Sequence, residues 1–215
     1  MIPLYHDFEG EIVLVVGGGT VGARKARRFG REAEVVVVAP NFPADDYGDA
    51  DLVRAAPTPA EIDGWFERTE PALAVAATDE AAVNDAVERV ARERGVLLNR
   101  ADRSGGREFG SVVVPATIRD GDVVVSISTG GASPALSKEL RRRIGSKLDG
   151  VGHLAAVTGE LREELKERDL PPETRREIVR AVVGSERVWK GLEVAGPKRR
   201  STIEAAVEAV LEEHT

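Results

Sequence analysis

Along the first hundred residues the apolar positions fall in unbroken blocks rather than singly. Ile12 to Val16 is the first, AEVVVVAP ending at Pro40 the second, a stretch near Asp51 to Ala55 the third, Ala72 to Ala77 the fourth, and VLLN ending at Asn99 the fifth. Short continuous runs of this kind are what strands covered on both faces require, so they predict a parallel sheet. Between the runs the spacing becomes helical: after Gly19, over Pro59 to Glu67 with Trp65 and Phe66 as core positions, and from Glu80 to Arg94. Strands and helices in alternation specify βαβ units on one sheet, an α/β fold.

Beyond Asn99 the pattern changes. SVVVPATIRDGDVVVSIS predicts two strands joined at Asp120-Gly121, a hairpin that does not belong to a βαβ series. A helix follows, with Ser133 as N-cap, Pro134 at its first position, and Leu136, Leu140, Ile144 and Leu148 spaced by four on one face. From Gly150 to Thr215 the chain reads as charged amphipathic helices broken at Pro171-Pro172 and Gly196-Pro197. Such helices bury little alone, so they must pack on the rest of the chain or on a second subunit.

Composition narrows the function. The net charge is -7, which argues against a general nucleic-acid binder, since those need a basic face for phosphates. With no cysteine there is no disulfide, thiolate metal site or thiol nucleophile, and His6, His153 and His214 show no ligand spacing, so no metal site is expected. The N-terminus MIPLYHDFEGE lacks a basic n-region, and no stretch approaches the roughly 20 apolar residues of a membrane span, so the expectation is a cytoplasmic protein without a membrane partner.

The first apolar run leads into G-x-G-x-x-G at Gly17, Gly19 and Gly22. A strand, this turn and a helix form a phosphate cradle: the first glycine allows a tight turn, the second lets backbone approach a pyrophosphate, the third lets helix pack on strand. Ligands of an open parallel sheet bind at the strands' carboxyl ends. Pro40-Asn41, Thr78-Asp79 and Asn99 to Asp102 meet that condition. Thr78 or Asp79 serves as a helix cap, a cofactor contact, or both, and Asp102 is either an Asx-turn residue or a catalytic one. The ribose-binding acid usual after the second strand is absent from Ala39-Pro40-Asn41, and Asp45 and Asp46 lie further on, so NAD and NADP are not distinguished by that rule. Ser128-Thr129-Gly130-Gly131 offers amides to a carboxylate or phosphate, or is only a turn with a good cap. Lys138, Arg141, Arg142, Arg143 and Lys147 form a solvated basic face unless the substrate is a polyanion.

GGGTVGARKA, AATDEAAVNDAV, LLNRAD and VSISTGGASPALSKELR resemble, in order and spacing, the motifs of precorrin-2 dehydrogenases, the NAD-binding module of siroheme synthases. The resemblance covers residues 10–145. It implies a Rossmann-like NAD-binding domain over residues 1–110, a small hairpin and helix dimerisation unit over 111–149, and a helical region over 150–215. The implied reaction is NAD-dependent oxidation of precorrin-2 to sirohydrochlorin in siroheme biosynthesis, by a homodimer. The family's catalytic aspartate falls on Asp102, as general base or as a group orienting the pyrrole nitrogens. Cofactor contacts fall on Gly19, Thr20, Val21, Gly22, Pro40, Asn41 and Thr78. The polycarboxylate substrate implies contacts at Asn99, Arg100, Ser128, Thr129 and Gly130, with Arg103 and Arg107 as further cations. Some relatives also insert ferrous iron, so a bifunctional dehydrogenase and ferrochelatase is one alternative; a non-catalytic NAD sensor is another. One departure is visible: Phe109 precedes Pro115 by six residues where the family commonly has three. No methyltransferase segment follows, so uroporphyrinogen methylation is expected of another protein.

Overall fold

The computed structural model describes residues 3–103, 111–194 and 196–212; Arg107, Phe109 and His214 lie outside them. The chain forms two compact units, one up to Val114 and one from Pro115.

The first unit is a parallel sheet of β1 (Ile12–Val16), β2 (Glu34–Ala39), β3 (Asp51–Arg54), β4 (Leu73–Ala76) and β5 (Leu97–Arg100), in the order β3-β2-β1-β4-β5. Parallel neighbours need crossovers, and α1 (Thr20–Phe29), α2 (Ile62–Thr69) and α3 (Ala81–Arg94) supply them. The order reverses at β1, between β2 and β4, which makes the carboxyl ends of these strands the switch point where such sheets hold ligands. Side chains alternate between two cores. Val13, Val15, Val37 and Val75 pack with Ala23 and Ala26 of α1, while Leu14, Val16 and Ala74 pack with Ile62, Phe66 and Val87 of α2 and α3.

Two details differ from the sequence expectation. Trp65 is only partly buried, because Arg68 lies over its indole at 4.1 Å and holds it at the rim, whereas Phe66 is fully buried. β5 continues one residue past Asn99, because Arg100 pairs with Ala76 and the Ala101 amide still donates to the Ala76 carbonyl at 2.9 Å. After residue 110 the chain rejoins this unit, with Ser111 bridging Leu98 in parallel and Val112 packing on the α1 side.

In the second unit β6 (Ala116–Asp120) and β7 (Val123–Ile127) form the expected antiparallel hairpin, with Gly121 turning at φ +54°. The Gly152 amide donates to the Asp120 carboxylate at 3.1 Å and ties the hairpin to α5 (Val151–Glu167). α4 (Pro134–Gly145) begins as expected, the Ser133 hydroxyl accepting from the Leu136 amide, yet none of its residues is buried. α5, α6 (Pro172–Gly184), α7 (Glu186–Leu192) and α8 (Arg199–Glu212) enclose a core that includes Leu161, Leu165, Val182 and Ile203. The breaks at Pro171-Pro172 and Gly196-Pro197 are present. A third, unexpected, falls at Ser185, whose backbone is extended. No described helix is long and apolar enough to cross a membrane.

Candidate functional site

The glycine turn after β1 is tight on two sides and open on one. A Cβ on Gly17 would stand 2.3 Å from the Ala77 carbonyl oxygen, and one on Gly22 1.9 Å from that of Gly17, so neither position admits a side chain. Gly19 has nothing within 4 Å. Its carbonyl receives the first helical bond, from the Ala23 amide at 3.0 Å, which leaves the amides of Thr20, Val21 and Gly22 ahead of the ladder. No side chain caps this end and its first turn carries no acid, so the partial positive charge faces outward, as an anion site requires. Tyr47, a buried aromatic packed edge-on against Phe42 of the same loop, donates its hydroxyl to the Gly18 carbonyl and braces the turn from behind. Farther along α1, burial, with Arg28 and Arg24 adding repulsion, pushes the Lys25 ammonium down to about 8.

At the end of β2, Pro40 and Asn41 are exposed, and the Asn41 carbonyl lies against Gly18. Asp46 is not available there: its carboxylate accepts from the Gly48 amide at 2.7 Å and pairs with Arg27 at 3.6 Å. At the end of β4, the Thr78 hydroxyl accepts from the Glu80 amide at 3.1 Å and lies 2.9 Å from the Asn84 Oδ1. The Asn84 side-chain amide returns a bond to the Thr78 carbonyl at 2.8 Å. The Thr78 side chain therefore caps α3. Asn84, fully buried on α3, was not singled out in the sequence; a polar residue beside Val83 on the helix's buried face is the signal that could have found it.

The end of β5 carries the densest polar chemistry. The Asn99 side-chain nitrogen donates to the Val112 carbonyl at 2.9 Å, which fixes the orientation of the amide. Its Oδ1 is then a buried acceptor with no partner among the described residues. Leaving such an atom unpaired costs about 1–3 kcal/mol, which makes Asn99 a point of tension at the end of β5.

Arg100 departs from the expected substrate contact. Strand alternation turns it to the α3 side, where its side chain is only 8% exposed. Nε and Nη2 donate to the two oxygens of Asp102 at 2.8 and 2.7 Å, and Nη1 donates to Glu88 at 2.6 Å, Asp85 at 2.9 Å and the Asn84 carbonyl at 3.1 Å. Every guanidinium nitrogen is engaged internally. The Arg100 bonds, joined by one from the Asn84 side chain, hold the Asp102 carboxyl below the usual carboxylate range. Asp85 and Glu88, three residues apart on α3, are the site residues sequence reasoning missed. Arg103, half-exposed, pairs with Asp85 at 2.8 Å.

Ser128, Thr129 and Gly130 belong to the second unit. Ser128 Oγ accepts from the Gly130 amide, and Thr129 Oγ1 accepts from the Ser133 amide at 3.1 Å, so both hydroxyls shape the turn before α4. Arg142 and Arg143 both bind Glu139, whose carboxyl they hold down to about 2. A depression at the end of β3 is bordered by Ala55, Pro57, Glu61, Gly64, Trp65 and Arg68; there Arg68 lies over the Trp65 ring and Glu61 accepts both Thr58 donors.

Two family models match the chain: the NAD(P)-binding family over residues 4–116 and the sirohaem biosynthesis protein central family over residues 120–147. A precorrin-2 dehydrogenase of Methanosarcina barkeri is 32% identical, covering 98% of this chain and 95% of its own length. Siroheme synthases of Azotobacter vinelandii and Nitrosococcus oceani are 34% and 33% identical, over 82% and 98% of this chain, but it spans only 38% and 44% of theirs. The solved structure of SirC, a precorrin-2 dehydrogenase, superposes with a TM-score of 0.70 at 24% identity, covering 100% of this chain and 98% of the other, and shares the fold.

Proposed function

Because the chain belongs to the precorrin-2 dehydrogenase family, we propose that it oxidises precorrin-2 to sirohydrochlorin with NAD as oxidant. The observation that carries this reading is an uncapped helix N-terminus and a fixed carboxylate on the carboxyl edge of one sheet. The glycine turn suits the cofactor: Gly19 is open where a diphosphate must approach, and the amides of Thr20, Val21 and Gly22 are free to donate to it. Pro40 and Asn41 flank the adenosine side, and Thr78 contributes backbone while its hydroxyl holds α3. Bound NAD supplies the hydride acceptor.

The chain's own residues then do two things. Asn99 Oδ1 accepts a hydrogen bond from the bound molecules, which satisfies its buried lone pairs. Asp102 presents negative charge at the end of β5. Loss of hydride leaves the macrocycle cationic and acidic, so a weak carboxylate base suffices, and the proton passes to an Asp102 oxygen through a lone pair that Arg100 leaves free. Arg103, half-exposed beside Asp85, supplies positive charge near Asp102 for substrate carboxylates. The half-open apolar stripe of α4 pairs with a second copy to give a homodimer, acting in the cytoplasm.

The test is anaerobic incubation of the full chain with enzymatically generated precorrin-2 and NAD, followed by absorbance. Sirohydrochlorin should form, and Asp102→Asn should lose most turnover while binding NAD normally. Full turnover by that variant would remove Asp102 from the chemistry. Ferrous iron added without NAD separates metal insertion from dehydrogenation.

A further inference from the structure

Resting on that reading of Asp102, we propose that Arg100 is the positioning residue of the site: it fixes both oxygens of the reactive carboxylate, keeps it charged, and anchors it to α3. The local geometry follows from the strand. Arg100 is the last residue of β5 and the Ala101 amide still donates to the Ala76 carbonyl, after which the chain bends at Ala101 and Asp102, and the Asp102 carboxylate meets the guanidinium two residues back. The result is a two-point fork at 2.8 and 2.7 Å, a match of planar donors to planar acceptors that an ammonium cannot reproduce.

This pair is unlike an exchangeable surface bridge. Arg100 is 8% exposed, Glu88 behind it 14%, and Asp102 24%. Glu88, Asp85 and the Asn84 carbonyl hold the far side of the guanidinium, so a swing toward a substrate carboxylate would strand Glu88, which is largely shielded, and give up the bond to the more exposed Asp85. Among the described residues, the charged and polar groups around Asp102 are Arg100 on β5 and Asn84 on α3, with Asp85 and Glu88 of α3 bound to Arg100, and Arg103 bound to those two acids. Attraction dominates, and Asp102 stays ionised as pH falls. Its remaining lone pairs are directed away from the fork, which gives the proton acceptor a single orientation.

Three variants of the full chain test the assignment: Arg100→Lys, Arg100→Gln, and Arg100→Gln with Glu88→Gln, the last relieving the anion that the single change strands. The readouts are the side-chain carbon-13 carboxyl titration of Asp102, assigned by its absence in Asp102→Asn, and kcat and KM against pH. In the parent, Asp102 should titrate below the usual carboxylate range, because Arg100 donates to both its oxygens. In both Arg100→Gln variants its midpoint should rise by about one unit or more, with an acid limb in kcat that moves with it. Their kcat should fall about 10–100-fold with KM little changed, as when the partner orienting a reactive ligand is lost. Arg100→Lys should keep the low midpoint, because charge remains, and still lose kcat, because the fork is gone.

An unmoved Asp102 midpoint in the double variant would overturn the proposal. So would a large rise in KM at unchanged kcat, the signature of a substrate contact. Full turnover by Asp102→Asn would instead defeat the underlying reading, while the carbon-13 titration would still decide whether Arg100 sets the charge of that carboxylate.

Discussion

The sheet of the first unit and the hairpin with α4 of the second deal with apolar surface in opposite ways. Val13 to Val16 are 0% exposed and every residue of β4 is buried, so the centre of this sheet is finished within one chain, and only the edge strand β3 leaves an apolar side chain, Leu52, open. The hairpin strands are at best half-buried, no residue of α4 is buried, and Leu136 stands 49% exposed at the start of its apolar stripe. A four-residue apolar period is the mark of a covered helix face. Leu148, at the far end of the stripe, packs on the helical core while Leu136 does not, so the cover thins toward the start of α4.

The contrast is broken or sharpened by five changes. Phe66→Ala, inside the finished core, should cost about 3–5 kcal/mol in urea unfolding. Lys25 probes the same unit by charge. Its folded-state value, about 8, lies below its unfolded one near 10.5, so the folded protein gains stability as pH rises between those limits and carries a penalty below them. Lys25→Met should therefore stabilise at pH 7, by on the order of 2 kcal/mol, and abolish that alkaline gain when the two denaturation series are subtracted. Gly19→Ala should leave the melting temperature unchanged but weaken NAD binding about tenfold, or about 1.4 kcal/mol, by calorimetry, because its methyl enters open space at the cradle. Thr78→Val removes a cap and should cost about 1 kcal/mol. Leu136→Asp, at the exposed start of the stripe, should change unfolding of the isolated chain by less than about 0.5 kcal/mol yet halve the sedimenting mass. Equal costs for Phe66→Ala and Leu136→Asp at low protein concentration would erase the distinction.

The sheet was legible because buried parallel strands write themselves as continuous runs, and the helix breaks because proline cannot continue a ladder. The start of α2 was not. Glu61 folds back on Thr58 through two bonds, so the chain turns there and the helix begins at Ile62 instead of Pro59. At the candidate site the strand ends and the glycine turn could be read from order and spacing. The direction of Arg100 could not, because it depends on β5 reaching one residue further and on acids supplied by α3. Tyr47 and Asn84 were hidden for the same reason: their partners, Gly18 and Thr78, are set by the tertiary fold.

β5 places two dissimilar groups side by side, Asn99 opposite Val75 and Arg100 opposite Ala76. Since neighbouring strand positions emerge on opposite sides, insertion or deletion of one codon upstream in β5 would send the guanidinium into the aliphatic layer beneath α1 and the amide toward the acids of α3. The segment can exchange residues over time, but its parity cannot drift.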